Sequence, residues 1–93
     1  MVVGLLRIEV HLPNAQSLKD KRSVITSLKA QMRRRFNVSV VELDANEKWQ
    51  RATFGVSTLG DHRTYVEGLL RQVTEWVQMT RLVNLIRIEE EYL

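Results

Sequence analysis

The spacing of apolar residues alternates along this chain between the two-residue period of a strand and the 3.6-residue period of a helix, and this order limits the fold. Strand-like alternation occurs in residues 2–12, 38–43, 49–59 and 82–92. Helical spacing occurs in two segments, from Ser17 to Phe36 and from about His62 to Thr80. The predicted element order is β-α-β-β-α-β, in a single domain that spans residues 1–93.

This order predicts an α+β architecture with one open sheet face. Two right-handed β-α-β crossovers laid antiparallel give a four-stranded antiparallel sheet of order 4-1-3-2, with both helices on one face. This is the ferredoxin-like βαββαβ sandwich. In the first strand Leu6, Ile8 and Val10 alternate with Arg7 and Glu9, as expected where one face is buried and the other is solvated.

Several residues predict where the elements begin and end. Ser17 is a candidate N-cap of the first helix, with its hydroxyl accepting from the backbone N–H of Asp20. Asp61 is interpreted as the cap of the second helix. A polar turn at residues 44–48 predicts a hairpin between the second and third strands. Gly55 predicts a bulge or a close backbone approach in the third strand.

The composition excludes several classes of protein. The chain has no cysteine, which excludes disulfides, thiolate nucleophiles and cysteine-based zinc sites. No run approaches 18 apolar residues and no basic leader precedes the first strand, so we expect neither a membrane span nor a signal peptide. Glycine-rich phosphate loops are absent and no catalytic motif is found. We therefore expect a binding protein and not an enzyme, with no cofactor and no metal site.

Positive charge is concentrated in one element. The net charge of the chain is +3, yet residues 17–36 contain seven basic residues and one acid, a net charge of +6. The other 73 residues carry a net charge of −3. This separation favours an anionic partner for the first helix more than the total charge does.

The basic helix is the first candidate site. At 100° per residue, Arg22, Lys29 and Arg33 lie within about 40° of one another on the helix. Lys21 falls at the centre of the apolar arc, either extending past the sheet edge or holding an ammonium ready for an anion. The candidate nucleic-acid-binding residues are Lys19, Lys21, Arg22, Lys29, Arg33 and Arg34. The alternative is a solvated face that only keeps the protein soluble.

The open sheet face is the second candidate site. Its predicted outward positions on the two central strands hold no aromatic residue, so stacking of RNA bases on the sheet is not expected. The same face could serve a homodimer, a protein-interaction module or a small-ligand regulatory domain. Its candidate interface residues are Trp49, Arg7, Glu9, His11 and Arg51.

Four stretches of the chain resemble a known family. They are SLKDKRS at residues 17–23, RFNVSV at residues 35–40, WQRA at residues 49–52, and Gly55-Val56. They are similar to the YlxP-like family of small bacterial proteins of unknown function. The resemblance implies a ferredoxin-like fold. The genes of that family often lie near those for translation initiation and ribosome maturation, which implies a cytoplasmic protein that works near structured RNA or the ribosome.

Overall fold

Six elements follow one another in the predicted order. The computed structural model describes residues 1–43 and 48–93, so the predicted turn lies outside the described residues except for Lys48. The elements are β1 (Val2–His11), α1 (Leu18–Arg35), β2 (Ser39–Leu43), β3 (Arg51–Gly60), α2 (Arg63–Met79) and β4 (Asn84–Tyr92). The sheet has the order β2-β3-β1-β4, which confirms the predicted order 4-1-3-2 read from the opposite edge. All neighbouring strands are antiparallel.

The core lies between the two helices and one face of the sheet. In β1 the alternation predicted from the sequence is confirmed, because Leu6, Ile8 and Val10 are buried. The helices contribute buried residues at helical spacing, namely Ile25, Leu28 and Met32 from α1 and Val66, Leu70, Val73 and Val77 from α2. In the described part of the chain, the opposite face of the sheet has no helix above it.

The beginning of α1 is capped as predicted. Ser17 has an extended backbone, and its Oγ accepts a hydrogen bond from the backbone N–H of Asp20 at 3.1 Å. The Asp20 carboxylate accepts in turn from the backbone N–H of Gln16 at 3.0 Å. The first bond satisfies a donor that a helix start leaves without a partner, and the second joins the residue before the cap to the same turn. The helix ends at Arg35, and Phe36 is its extended C-cap.

The beginning of α2 differs from the prediction. The N-cap is His62 and not Asp61, and the His62 side chain makes no capping hydrogen bond within the described residues. Asp61 precedes the cap by one residue, whereas a capping carboxylate acts from the cap position itself.

Within residues 1–43 and 48–93, neither helix has the length and apolar character needed to span a membrane.

At Gly55 the strand has no bulge, and the neighbouring atoms belong to side chains of β2 and not to backbone. The β1–β3 register runs without interruption from Val2 opposite Gly60 to His11 opposite Arg51. A Cβ atom at Gly55 would lie 3.2 Å from the Leu43 side chain on β2. The irregularity of the sheet lies instead between β1 and β4.

Candidate functional site

The basic side of α1 lies along the free edge of β2. Arg33 Nη2 donates a hydrogen bond to the Val40 carbonyl oxygen at 2.6 Å. Arg22 Nη2 contacts both carboxylate oxygens of Glu42, at 2.6 and 2.7 Å. Because both contacts reach β2 from one helix, they hold two arginines of the predicted site in defined positions.

Most of the predicted cations of α1 face solvent. Lys19, Arg22, Arg33 and Arg34 are exposed, and Lys29 is half-buried. At 1.5 Å per residue they extend along about 22 Å of helix. The prediction of a basic surface on this helix therefore holds for these five residues.

Arg22 differs from the other four cations of α1 because a carboxylate neutralises its charge. Within residues 1–43 and 48–93, no carboxylate forms an ion pair with Lys19, Lys29, Arg33 or Arg34. The hydrogen bond of Arg33 goes to a neutral carbonyl, which leaves its charge in place. The charge of Arg22, in contrast, is balanced by Glu42, whose side chain is only 10% exposed.

Lys21 lies inside the protein. It occupies the centre of the apolar arc, as the helical spacing predicts, and is 1% exposed. Its Nζ donates to the carbonyl oxygen of Lys48 at 2.8 Å. Burial lowers the pKa of the Lys21 ammonium, and the nearby Glu42 carboxylate partly opposes this shift. Lys21 thus differs from the exposed cations of α1, because its side chain is buried and its ammonium is bonded to a backbone carbonyl.

The predicted interface residues share the open sheet face. Arg7, Glu9 and His11 point outward from β1, and Arg51 Nη2 lies 3.2 Å from the Glu9 carboxylate. Trp49 is 51% exposed and lines a hollow with Lys48, Gln50, His11, Arg51 and Ile86. The fold therefore brings the five interface candidates to one side of the sheet.

The other half of this face is apolar and was not predicted from the sequence. Val41 and Leu43 point outward from β2 beside Gly55, and with Leu5 they line a shallow groove of about 400 Å³. Arg7 and Glu89 border the same groove. The alternation within residues 39–43 was the available signal, because it places Val41 and Leu43 on the side opposite to the buried Val40.

Known proteins match nearly the whole chain. A family described as "Protein of unknown function (DUF503)" matches residues 3–90. The protein is also 30% identical over 76 residues to the uncharacterized protein YlxP of Bacillus subtilis (strain 168). That alignment covers 82% of this chain and 83% of its relative. The chain therefore belongs to the DUF503 family, the YlxP-like proteins of unknown function.

Proposed function

We propose that this protein is a cytoplasmic, ribosome-associated binding protein that contacts structured RNA through α1 and performs no catalysis. The observation that carries the proposal is a set of four cations of α1 without a carboxylate partner among the described residues, Lys19, Lys29, Arg33 and Arg34. A phosphate backbone is the partner whose charge repeats over the length of such a helix.

The fixed position of Arg33 supports contact with phosphates. Arg33 is tied to the Val40 carbonyl through one Nη atom, and a guanidinium has five N–H donors. The guanidinium of Arg33 keeps its positive charge, and its remaining donors have a restricted orientation, which lowers the entropy lost when a phosphate binds.

We assign recognition to the shape and backbone of the RNA, because the outward positions of β1 and β3 offer no row of aromatic side chains for base stacking.

A salt titration of binding to structured RNA tests this proposal. The variant Lys19→Glu/Arg34→Glu reverses two exposed cations of α1. Its matched control, Arg71→Glu/Arg81→Glu, makes the same change in net charge at exposed cations elsewhere. Each phosphate contact contributes about −0.7 to −0.9 to the slope of log affinity against log salt. We expect the α1 variant to flatten the slope by about 1.4 to 1.8 and the control to change it little.

Two results would argue against the proposal. Equal losses in both variants would mean that net charge alone attracts the RNA and that α1 is not a site. Weak binding by the wild type, with no dependence on salt, would remove RNA as the partner of this helix.

A further inference from the structure

The open sheet face carries more apolar surface than a solvated sheet needs. Leu59, Val41, Trp49 and Ile86 are each between 43% and 58% exposed, and all four border this face. A sheet face that meets only water is usually polar. We propose that a second copy of this chain covers the open sheet face. Residues paired side by side across the strands form one level of the sheet. The two copies are related by a two-fold axis perpendicular to the strands, between the level of Arg7 and the level of Glu9.

The charges on this face are arranged to complement a rotated copy of themselves. Strand register places Arg7 beside Glu89 at one level and Glu9 beside Arg87 at the next level along the strands. On both β1 and β4, these two neighbouring levels thus carry opposite signs. Rotation about the proposed axis exchanges the two levels, so Arg7 faces the second copy's Glu9 and Glu89 faces the second copy's Arg87. Unlike charges meet at all four positions.

The apolar positions follow the same exchange. Val41 and Gly55 lie at the level of Arg7, and Leu43 and Thr53 lie at the level of Glu9. The rotation therefore places Val41 against the second copy's Leu43, which buries the exposed apolar surface of β2. Gly55 faces the second copy's Thr53, beside the Val41 and Leu43 side chains that lie next to Gly55.

The size and net charge of the face fit a second copy. Strands about 4.8 Å apart with a rise of about 3.3 Å per residue give strands of 10, 5, 10 and 9 residues an area of about 540 Å². Two such faces bury about 1,100 Å², just above the roughly 1,000 Å² that a specific interface should reach. Among the described residues, the outward strand positions of the face hold three cations and three acids, namely Arg7, Arg51, Arg87, Glu9, Glu89 and Glu91. These six charges sum to zero, which suits a second copy, whereas an RNA would favour the basic helix.

Sedimentation of the full chain tests the dimer. We expect the wild type to sediment at about twice its monomer mass of 10.9 kDa at micromolar concentration. Val41→Lys places a charge opposite the second copy's Leu43 and should weaken dimerisation at least about 100-fold, while circular dichroism still shows a folded chain. The matched control is Met79→Lys, which changes an apolar residue that is 82% exposed on α2, and should leave the dimer intact.

Cysteine cross-linking tests the axis independently, because the chain has no native cysteine. A mixture of Val41→Cys and Leu43→Cys proteins should form a disulfide-linked heterodimer under mild oxidation. Either variant alone should cross-link several-fold less, since each cysteine would then face a different residue. A wild type that stays monomeric at about 100 µM would overturn the proposal, and so would equal dimerisation by wild type and Val41→Lys. A dimer without the heterodimeric cross-link would overturn the proposed axis.

Discussion

The ammonium of Lys21 donates a hydrogen bond to the carbonyl oxygen of Lys48 at 2.8 Å, from a side chain that is only 1% exposed. This bond joins the first turns of α1 to the chain just before β3. The aliphatic part of Lys21 fills a place in the core, while the charged end reaches backbone. Lys21 therefore acts in the packing of the protein, next to the cations that face solvent.

Truncation of Lys21 should destabilise the protein strongly. Lys21→Ala removes a buried four-carbon stem and a hydrogen bond, and we expect a loss of about 2–4 kcal/mol in the free energy of unfolding. Lys21→Met keeps most of the volume and should lose about half as much or less. Urea unfolding of the two variants provides the measurement. A loss below about 0.5 kcal/mol for Lys21→Ala would show a surface-like residue.

The stability difference between wild type and Lys21→Met should depend on pH. Burial lowers the pKa of Lys21 below 10.5, so between its folded pKa and 10.5 the unfolded state binds more protons. The contribution of Lys21 to stability is therefore largest above pH 10.5 and is lost as pH falls through the folded pKa. Burial raises the pKa of Tyr92, which has the opposite effect, but both proteins share Tyr92.

Chemical unfolding from about pH 8 to pH 10.5 checks this sign. We expect wild type to gain stability relative to Lys21→Met as pH rises. A difference that stays constant over this range would show that Lys21 has the same proton affinity in the folded and unfolded states.

Two glycine-to-alanine substitutions should have opposite effects. A Cβ at Gly4 on β1 would lie 2.5 Å from Val66 Cγ1 and 2.7 Å from Leu70 Cδ1, so Gly4→Ala pushes α2 away from the sheet. We expect Gly4→Ala to cost about 1–3 kcal/mol. Gly68 lies inside α2, and a Cβ added there would meet no neighbouring part of the described chain within 4 Å. Gly68→Ala should therefore add about 0.5–1 kcal/mol.

Thermal and urea unfolding of the two variants checks this pair. Each substitution adds one methyl group, so a shared direction of change would contradict the difference in packing around the two glycines.

Neutralising Glu42 should strengthen RNA binding. Glu42 balances the charge of Arg22, and Glu42→Gln leaves Arg22 able to contact a further phosphate. We expect the salt dependence to steepen by about 0.7–0.9 and the affinity to rise several-fold at low salt. Glu75→Gln on α2 makes the same change in net charge at an exposed acid and serves as the control. An equal effect of both substitutions would assign the gain to net charge and not to Arg22.

Local periodicity explains why the fold could be predicted. The alternation in β1 and the helical spacing in α1 and α2 each depend on residues close in sequence, and element order then leaves few topologies. The Ser17 cap was predicted for the same reason, because its partner Asp20 lies three residues away. Asp61 shows the limit of such reasoning, since either of two adjacent residues could begin the helix.

The basic character of α1 could be predicted from the sequence, but the burial of Lys21 could not. Helical spacing places Lys21 on the apolar arc, yet its burial and its bond to the Lys48 carbonyl depend on contacts between residues distant in sequence. In the same way, the pairing of Arg22 with Glu42 depends on how α1 lies along β2.

The order of the elements and the basic character of α1 follow from neighbouring residues, so they could be read from the sequence. Which charges lie side by side on the open face depends on how the strands pair. Arg7 meets Glu89 and Glu9 meets Arg87 through the register of β1 against β4, two strands from opposite ends of the chain. A shift of one residue would turn each side chain of β4 to the other face, and the alternation of apolar residues in that strand is too weak to specify the register.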